Sequence, residues 1–236
     1  MKMLLKRLRN VGRVVVRCIY RSNKNVFVQK AKMNPTWKHP FTCVIAGPTG
    51  CGKTMWVRQF LQSVSTMMSP VPQEIVWCYG EWQTVYEEMK HVTFVEGIPH
   101  VDLWSDGKPR LIILDDLMSE ADGRVTKLFT KGSHHRNLSV IFIVQNLFGS
   151  NKEQRTITLN SHYLVVFKNP RDVSQINHLA KQMYPGKLKY VQEAFKDATS
   201  SPHGYLLFDL RQETPDHLRL RTNIFPEDNQ VVYVQK

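Results

Sequence analysis

Acidic residues are missing from positions 1 to 32, where ten lysines and arginines occur with no Asp or Glu among them. Such a stretch repels itself in isolation and gains by displacing counterions from a polyanion, so nucleic acid is the first partner it suggests. A solvated tail and an Arg-rich organelle leader are the other readings of the same composition. The other 22 basic and 20 acidic residues leave the body of this 236-residue chain near neutrality, at +2. Cysteine is scarce: Cys18, Cys43, Cys51 and Cys78 lie far apart with no CxxC pair. That spacing excludes a zinc ribbon and a disulfide framework, and Cys43 and Cys78 read as core fillers. Long apolar runs are also absent; Val14-Val15-Val16 between arginines is far too short to span a membrane, and no secretory signal is evident. A soluble, intracellular protein with no membrane contact is expected. With no repeats and no linker-length Pro/Gly stretch, the chain divides into a basic arm at 1–33 and one domain at 34–236.

What is present starts with Gly47-Pro48-Thr49-Gly50-Cys51-Gly52-Lys53-Thr54, which fits G-x-x-x-x-G-K-[ST] at every fixed position. The glycines let backbone N–H groups turn inward around a β-phosphate, Lys53 can reach the β and γ oxygens, and the Thr54 hydroxyl suits Mg²⁺. Phe41 to Ala46 reads as a strand feeding the loop. Val57, Phe60, Leu61 and Val64 repeat at helical spacing after it, so a helix aims its positive end at the phosphates. ATP and Mg²⁺ are the expected ligands.

Five further apolar runs, at 75–79, 111–114, 140–144, 163–167 and 205–208, are continuous rather than alternating, as strands covered on both faces are. Helical spacing falls between them at 83–90, 123–134, 172–183 and 189–198, and 219–226 reads as an edge strand before a polar tail. The expected class is α/β: a P-loop NTPase with a mostly parallel sheet, helices on both faces, and ligands at the carboxyl ends of the strands.

Leu111 to Leu114 delivers Asp115 and Asp116 at one such end. In phosphate-loop chemistry one carboxylate completes the Mg²⁺ site and the next polarises the attacking water, which assigns Asp115 to the metal and Asp116 to the water. Gln145-Asn146 closes the 140–144 strand, and Gln145 can hydrogen-bond the γ-phosphate or the lytic water without neutralising the acids. A guanidinium suits the charge that spreads over the transferring phosphoryl group. Arg136 is the first candidate, Arg155 the second, and Arg171 a third near a strand end. Each would act within the chain or on a neighbour's nucleotide. His134-His135 point different ways on a helix and read as a polar helix end rather than a metal pair.

The order of these motifs, with Ser133-His134-His135-Arg136-Asn137 and Val140 to Phe148, resembles the FtsK/HerA-type DNA-packaging ATPases. It is most similar to those of Polinton or Maverick elements and adintoviruses, and more distantly to poxvirus ATPases. Leu159-Asn160-Ser161-His162-Tyr163 and Phe167 to Asp172 carry the resemblance outside the generic nucleotide motifs, and it spans about residues 38 to 210. Asp116 stands where a glutamate is frequent in the wider superfamily. The resemblance implies an oligomeric ring that hydrolyses ATP to thread double-stranded DNA into a capsid. It also implies a capsid vertex or other virion proteins as partners, and work in the host nucleus or at the virion assembly site. Two other readings use the same residues: a cellular-type DNA translocase or helicase, and a nucleotide-gated DNA-binding assembly protein with little turnover.

Overall fold

The computed structural model describes residues 14–19, 36–98, 104, 106–117, 123–132, 136–149 and 152–235. Its strands are β1 (Val14–Ile19), β2 (Trp37–Lys38), β3 (Thr42–Ala46), β4 (Met68–Ser69), β5 (Glu74–Tyr79), β6 (Thr93–Glu96), β7 (Arg110–Asp115), β8 (Leu138–Val144), β9 (Tyr163–Phe167), β10 (Tyr205–Asp209), β11 (Leu220–Thr222) and β12 (Gln230–Gln235). The α-helices are α1 (Lys53–Gln62), α2 (Val64–Met67), α3 (Gly123–Lys127), α4 (Lys152–Leu159), α5 (Ser174–Met183) and α6 (Leu188–Ala198).

Ten strands form one sheet in the order β1-β12-β11-β10-β9-β3-β8-β7-β5-β6. From β9 to β6 every neighbour is parallel. From β9 to β12 the strands run as an antiparallel meander, and β1 pairs in parallel with β12. This is the expected α/β P-loop fold.

The continuous apolar runs are explained by two cores. Val44, Ala46, Ile112, Leu114, Val140, Phe142 and Val144 face one core together with Val125, Ile157, Ile176, Leu179 and Val191 from α3 to α6. Their alternates Cys43, Ile45, Leu111, Ile113, Ile141 and Ile143 face the other, with Trp56, Val57 and Phe60 of α1. A strand apolar on both faces has no place at a wet surface, so these sit in the middle of the sheet.

Several expectations change. Residues 83–90 hold only a 3₁₀ segment, Thr84–Glu88. The helix at 123–134 is α3 followed by a π-turn, Leu128–Gly132, and His134-His135 lie outside the described residues. The segment at 219–226 is no edge, because β11 is enclosed between β10 and β12, and the polar tail contains β12 itself. Within the basic arm, Val14–Ile19 joins the sheet as β1, so the sheet takes in part of what composition sets apart.

Candidate active site

Parallel strands bring their carboxyl ends to one edge. Gly47, Gln145, Asp116 and Gly80 each follow the last residue of β3, β8, β7 and β5. The register holds these ends level, pairing Ala46 with Val144, Asp115 with Ile143 and Tyr79 with Asp115.

On that edge the loop turns through Gly50 at φ +76° and Gly52 at φ +105°, a backbone that only glycine adopts without strain. No side chain caps the start of α1 at Gly52, so the first-turn N–H groups remain available to an anion. Lys53 Nζ donates to the carbonyls of Gly47 at 2.6 Å and Pro48 at 3.0 Å, which holds the ammonium over the loop. Thr49, Gly50, Gly52, Lys53, Thr54, Asp115, Asp116 and Gln145 then line one cavity of about 360 Å³. The structure thus gathers the phosphate loop, both acids and the strand-end glutamine in one chain.

Asp115 is 4% exposed and accepts a 2.8 Å hydrogen bond at Oδ2 from the Tyr86 hydroxyl. Burial pushes its carboxyl pKa up and the neighbouring Asp116 charge adds to this, while Tyr86 and Lys53 oppose it. Burial, together with the Asp115 charge, pushes the Tyr86 phenol well above its usual range, so it remains a donor. Asp116 is exposed, at φ +55°, a left-handed conformation that Asp tolerates better than most residues. Gln145 is exposed at the cavity. Thr54 and Asp115 offer hard oxygen donors to one space, which fits Mg²⁺ held by one or two protein oxygens beside phosphate. No cage of three or more His, Cys, Asp or Glu side chains occurs among the described residues.

The arginines are placed differently. Arg136 lies just before β8, at the amino edge of the sheet, and the seven residues of β8 put about 23 Å between it and Gln145. A role for Arg136 on this chain's own nucleotide is therefore corrected by the direction of β8. Arg155 is exposed on α4 and does not line the cavity. Arg171 follows β9 on the same edge as the phosphate loop and is exposed. Cys51, inside the loop, has its thiol pKa raised, because burial outweighs the Lys53 charge; Cys78, in the core, is pushed up to about 12 by burial.

Sequence reasoning passes over four contributors. His203, at φ +59°, lies over the loop with Nδ1 3.1 Å from the Cys51 carbonyl. It borders both the phosphate cavity and a second one of about 700 Å³, walled by Trp56, Phe167, Tyr205 and Phe225. Gln175 Oε1 accepts from Leu147 N at 2.8 Å, and Gln154 Nε2 donates to the Asn146 carbonyl at 2.5 Å. These two buried amides fasten the turn that follows Gln145. Tyr86 is the fourth. None belongs to a short motif, and each meets its partner only through the tertiary fold.

The 159–172 block is placed by hydrogen bonds at both of its ends. Thr42 Oγ1 donates to the Asn160 carbonyl and Thr42 N donates to His162 Nδ1, tying the α4–β9 turn to the start of β3. Asp172 accepts from Ser174 and Gln175 at the start of α5.

No protein-family model matches the chain, and no curated protein matches its sequence. Among solved structures it is similar to the DNA-packaging ATPase B204 of Sulfolobus turreted icosahedral virus, at 12% identity and TM-score 0.51, over 75% of this chain and 96% of that one. The genome packaging NTPase B204 of Sulfolobus turreted icosahedral virus 2 is similar too. Its sulfate complex aligns at 13% identity and its ATPγS complex at 12%, each with TM-score 0.50 over 74% of this chain and 94% of that one. At such identities the likeness shows the shared fold.

Proposed function

We propose that this chain is an ATP-hydrolysing motor that packages double-stranded viral DNA into a capsid. The observation that carries the reading is the single cavity lined by Gly50, Gly52, Lys53, Thr54, Asp115, Asp116 and Gln145. Loop N–H groups and Lys53 bind the β and γ phosphates. Asp116 polarises the attacking water and Gln145 orients it against the γ-phosphate. Thr54 and Asp115 would hold Mg²⁺, which would supply charge neutralisation at the phosphates. The second cavity, which shares Gly52, Met55 and His203 with the first, offers aromatic walls to the base and ribose.

The packaging role is supported by the fold shared with B204, described as a packaging ATPase, and by the 133–148 and 159–172 blocks. Those blocks also support a lineage beside Polinton and adintovirus ATPases. Ring assembly, a capsid vertex as partner, and action in the host nucleus or at the assembly site belong to the same proposal, as does DNA contact by the basic arm.

The test is steady-state ATP hydrolysis with and without linear duplex DNA. Duplex DNA is expected to stimulate turnover, and Lys53→Ala and Asp116→Asn each to abolish it. Turnover that ignores DNA would remove the motor assignment, and turnover that survives Lys53→Ala would remove the site.

A further inference from the structure

Asp115 ends β7 with its carboxylate inside the protein, and what aims that carboxylate is a residue from another element. Tyr86, in the 3₁₀ segment between β5 and β6, donates its hydroxyl to Asp115 Oδ2 at 2.8 Å. The phenol is itself fixed. It is 1% exposed, stacks on Phe94 of β6 at 5.1 Å between ring centroids, and meets Trp77 of β5 at 5.2 Å and Trp82 at 5.4 Å. These rings, with Tyr79 at 5.9 Å as a fourth, therefore place the hydroxyl, and the hydroxyl in turn restrains rotation of the carboxylate. With the Tyr86 hydroxyl fixed on Oδ2, the carboxylate keeps its remaining acceptor capacity for a cation or its water in the phosphate cavity that Asp115 lines.

We infer that Tyr86 is a positioning residue of the cation site, holding Asp115 so that one oxygen is presented to the Mg²⁺ accompanying the nucleotide. The inference rests on the nucleotide reading above. Partners that orient a metal-ligating carboxylate typically matter to metal affinity by about tenfold to a hundredfold. A purely structural phenol, present only to satisfy a buried carboxylate, would instead be felt in stability alone.

Equilibrium binding of ATPγS to the full chain, with excess Mg²⁺ and with a chelator, separates the two roles. Wild type is expected to bind more tightly with Mg²⁺. Tyr86→Phe, which removes one oxygen and keeps the ring, is expected to lose about tenfold to a hundredfold of the Mg²⁺-supported affinity, with the chelated affinity unchanged. Phe94→Leu loosens the stack that places the hydroxyl but keeps the donor, so it lowers the melting temperature and loses less of the ratio with and without Mg²⁺ than Tyr86→Phe does. Tyr86→His returns a ring N–H donor and recovers part of the ratio, which keeps the test open should the phenylalanine variant be unstable. A wild-type ratio in Tyr86→Phe, or equal losses in Tyr86→Phe and Phe94→Leu, overturns the inference while leaving the nucleotide site standing. Absence of ATPγS binding by wild type in either condition overturns both.

Discussion

His39 shows how a single side chain away from the chemistry can make the fold sensitive to acid. It sits at the amino edge, half-buried, with Nδ1 2.6 Å from Ser139 Oγ and Nε2 2.9 Å from the Asn137 carbonyl. Nε2–H donates to that carbonyl, so the neutral ring accepts from Ser139 at Nδ1, and Ser139 Oγ accepts from Phe41 N. Burial lowers the His39 pKa below 6.5, against the smaller raising effect of Asn137. As pH falls below 6.5 the unfolded chain takes up a proton that folded His39 resists. Stability from this residue is therefore present above the unfolded pKa and is lost as pH falls through the lowered folded value. Denaturant midpoints at about pH 7.5 and about pH 5.5 are expected to differ less in His39→Gln than in wild type. An unchanged difference would assign the acid sensitivity to other groups.

At the scale of elements, β8 is the piece on which the site depends. It lies between β3, which feeds the phosphate loop, and β7, which ends in the acids, and the turn after it presents Gln145. That turn is held from α5 by Gln175, whose Oε1 takes the buried Leu147 N–H. Gln175→Ala leaves this donor without its partner, and an unsatisfied buried group of this kind costs about 1–3 kcal/mol. The expected outcome is a destabilisation of that size in chemical denaturation, with turnover falling while ATPγS affinity holds. Equal loss of binding and turnover would mean that the turn supports the nucleotide rather than the water. The same elements show what a sequence can disclose. β3, β7 and β8 are apolar on both faces and lead into Gly47, the Asp115–Asp116 pair and Gln145, so their position and chemistry are readable together. β6 reads Thr-Phe-Val-Glu and is half-covered at the sheet edge, too short and mixed to stand out. In α4 only Gln154, Ile157 and Thr158 are buried, which leaves no apolar stripe. Val231 to Val234 is as apolar as a central strand, but Pro226-Glu227-Asp228-Asn229 before it has the composition of a tail. Tyr86 and His203 act through contacts that only the folded sheet creates.

For the whole molecule, the directions of the strands divide the labour between its two edges. The carboxyl edge gathers the phosphate loop, Asp115, Asp116 and Gln145. The amino edge is fastened by polar pairs: Arg110 binds Glu74 and Asp106, and Arg221 pairs with buried Asp209. Arg136 belongs to the amino edge, so if it serves a transferring phosphoryl group, that group would have to be on the nucleotide of another subunit, as the proposed ring would supply. Arg136→Ala and Lys53→Ala are each expected to be inactive alone. The first lacks the guanidinium it should lend to its neighbour; the second cannot bind phosphate but still carries Arg136. In a mixed ring, a Lys53→Ala subunit beside an Arg136→Ala subunit supplies the missing arginine to an intact phosphate loop, and hydrolysis returns. Subunits mixed before assembly at varied ratios should therefore show a maximum in turnover at intermediate composition, because only unlike neighbours complete a site. A flat, inactive series would remove Arg136 from the chemistry, and recovery in the parallel series with Arg155→Ala would move the role to α4. Full activity of Arg136→Ala alone would turn the search to Arg171, the third candidate, which lies on the carboxyl edge.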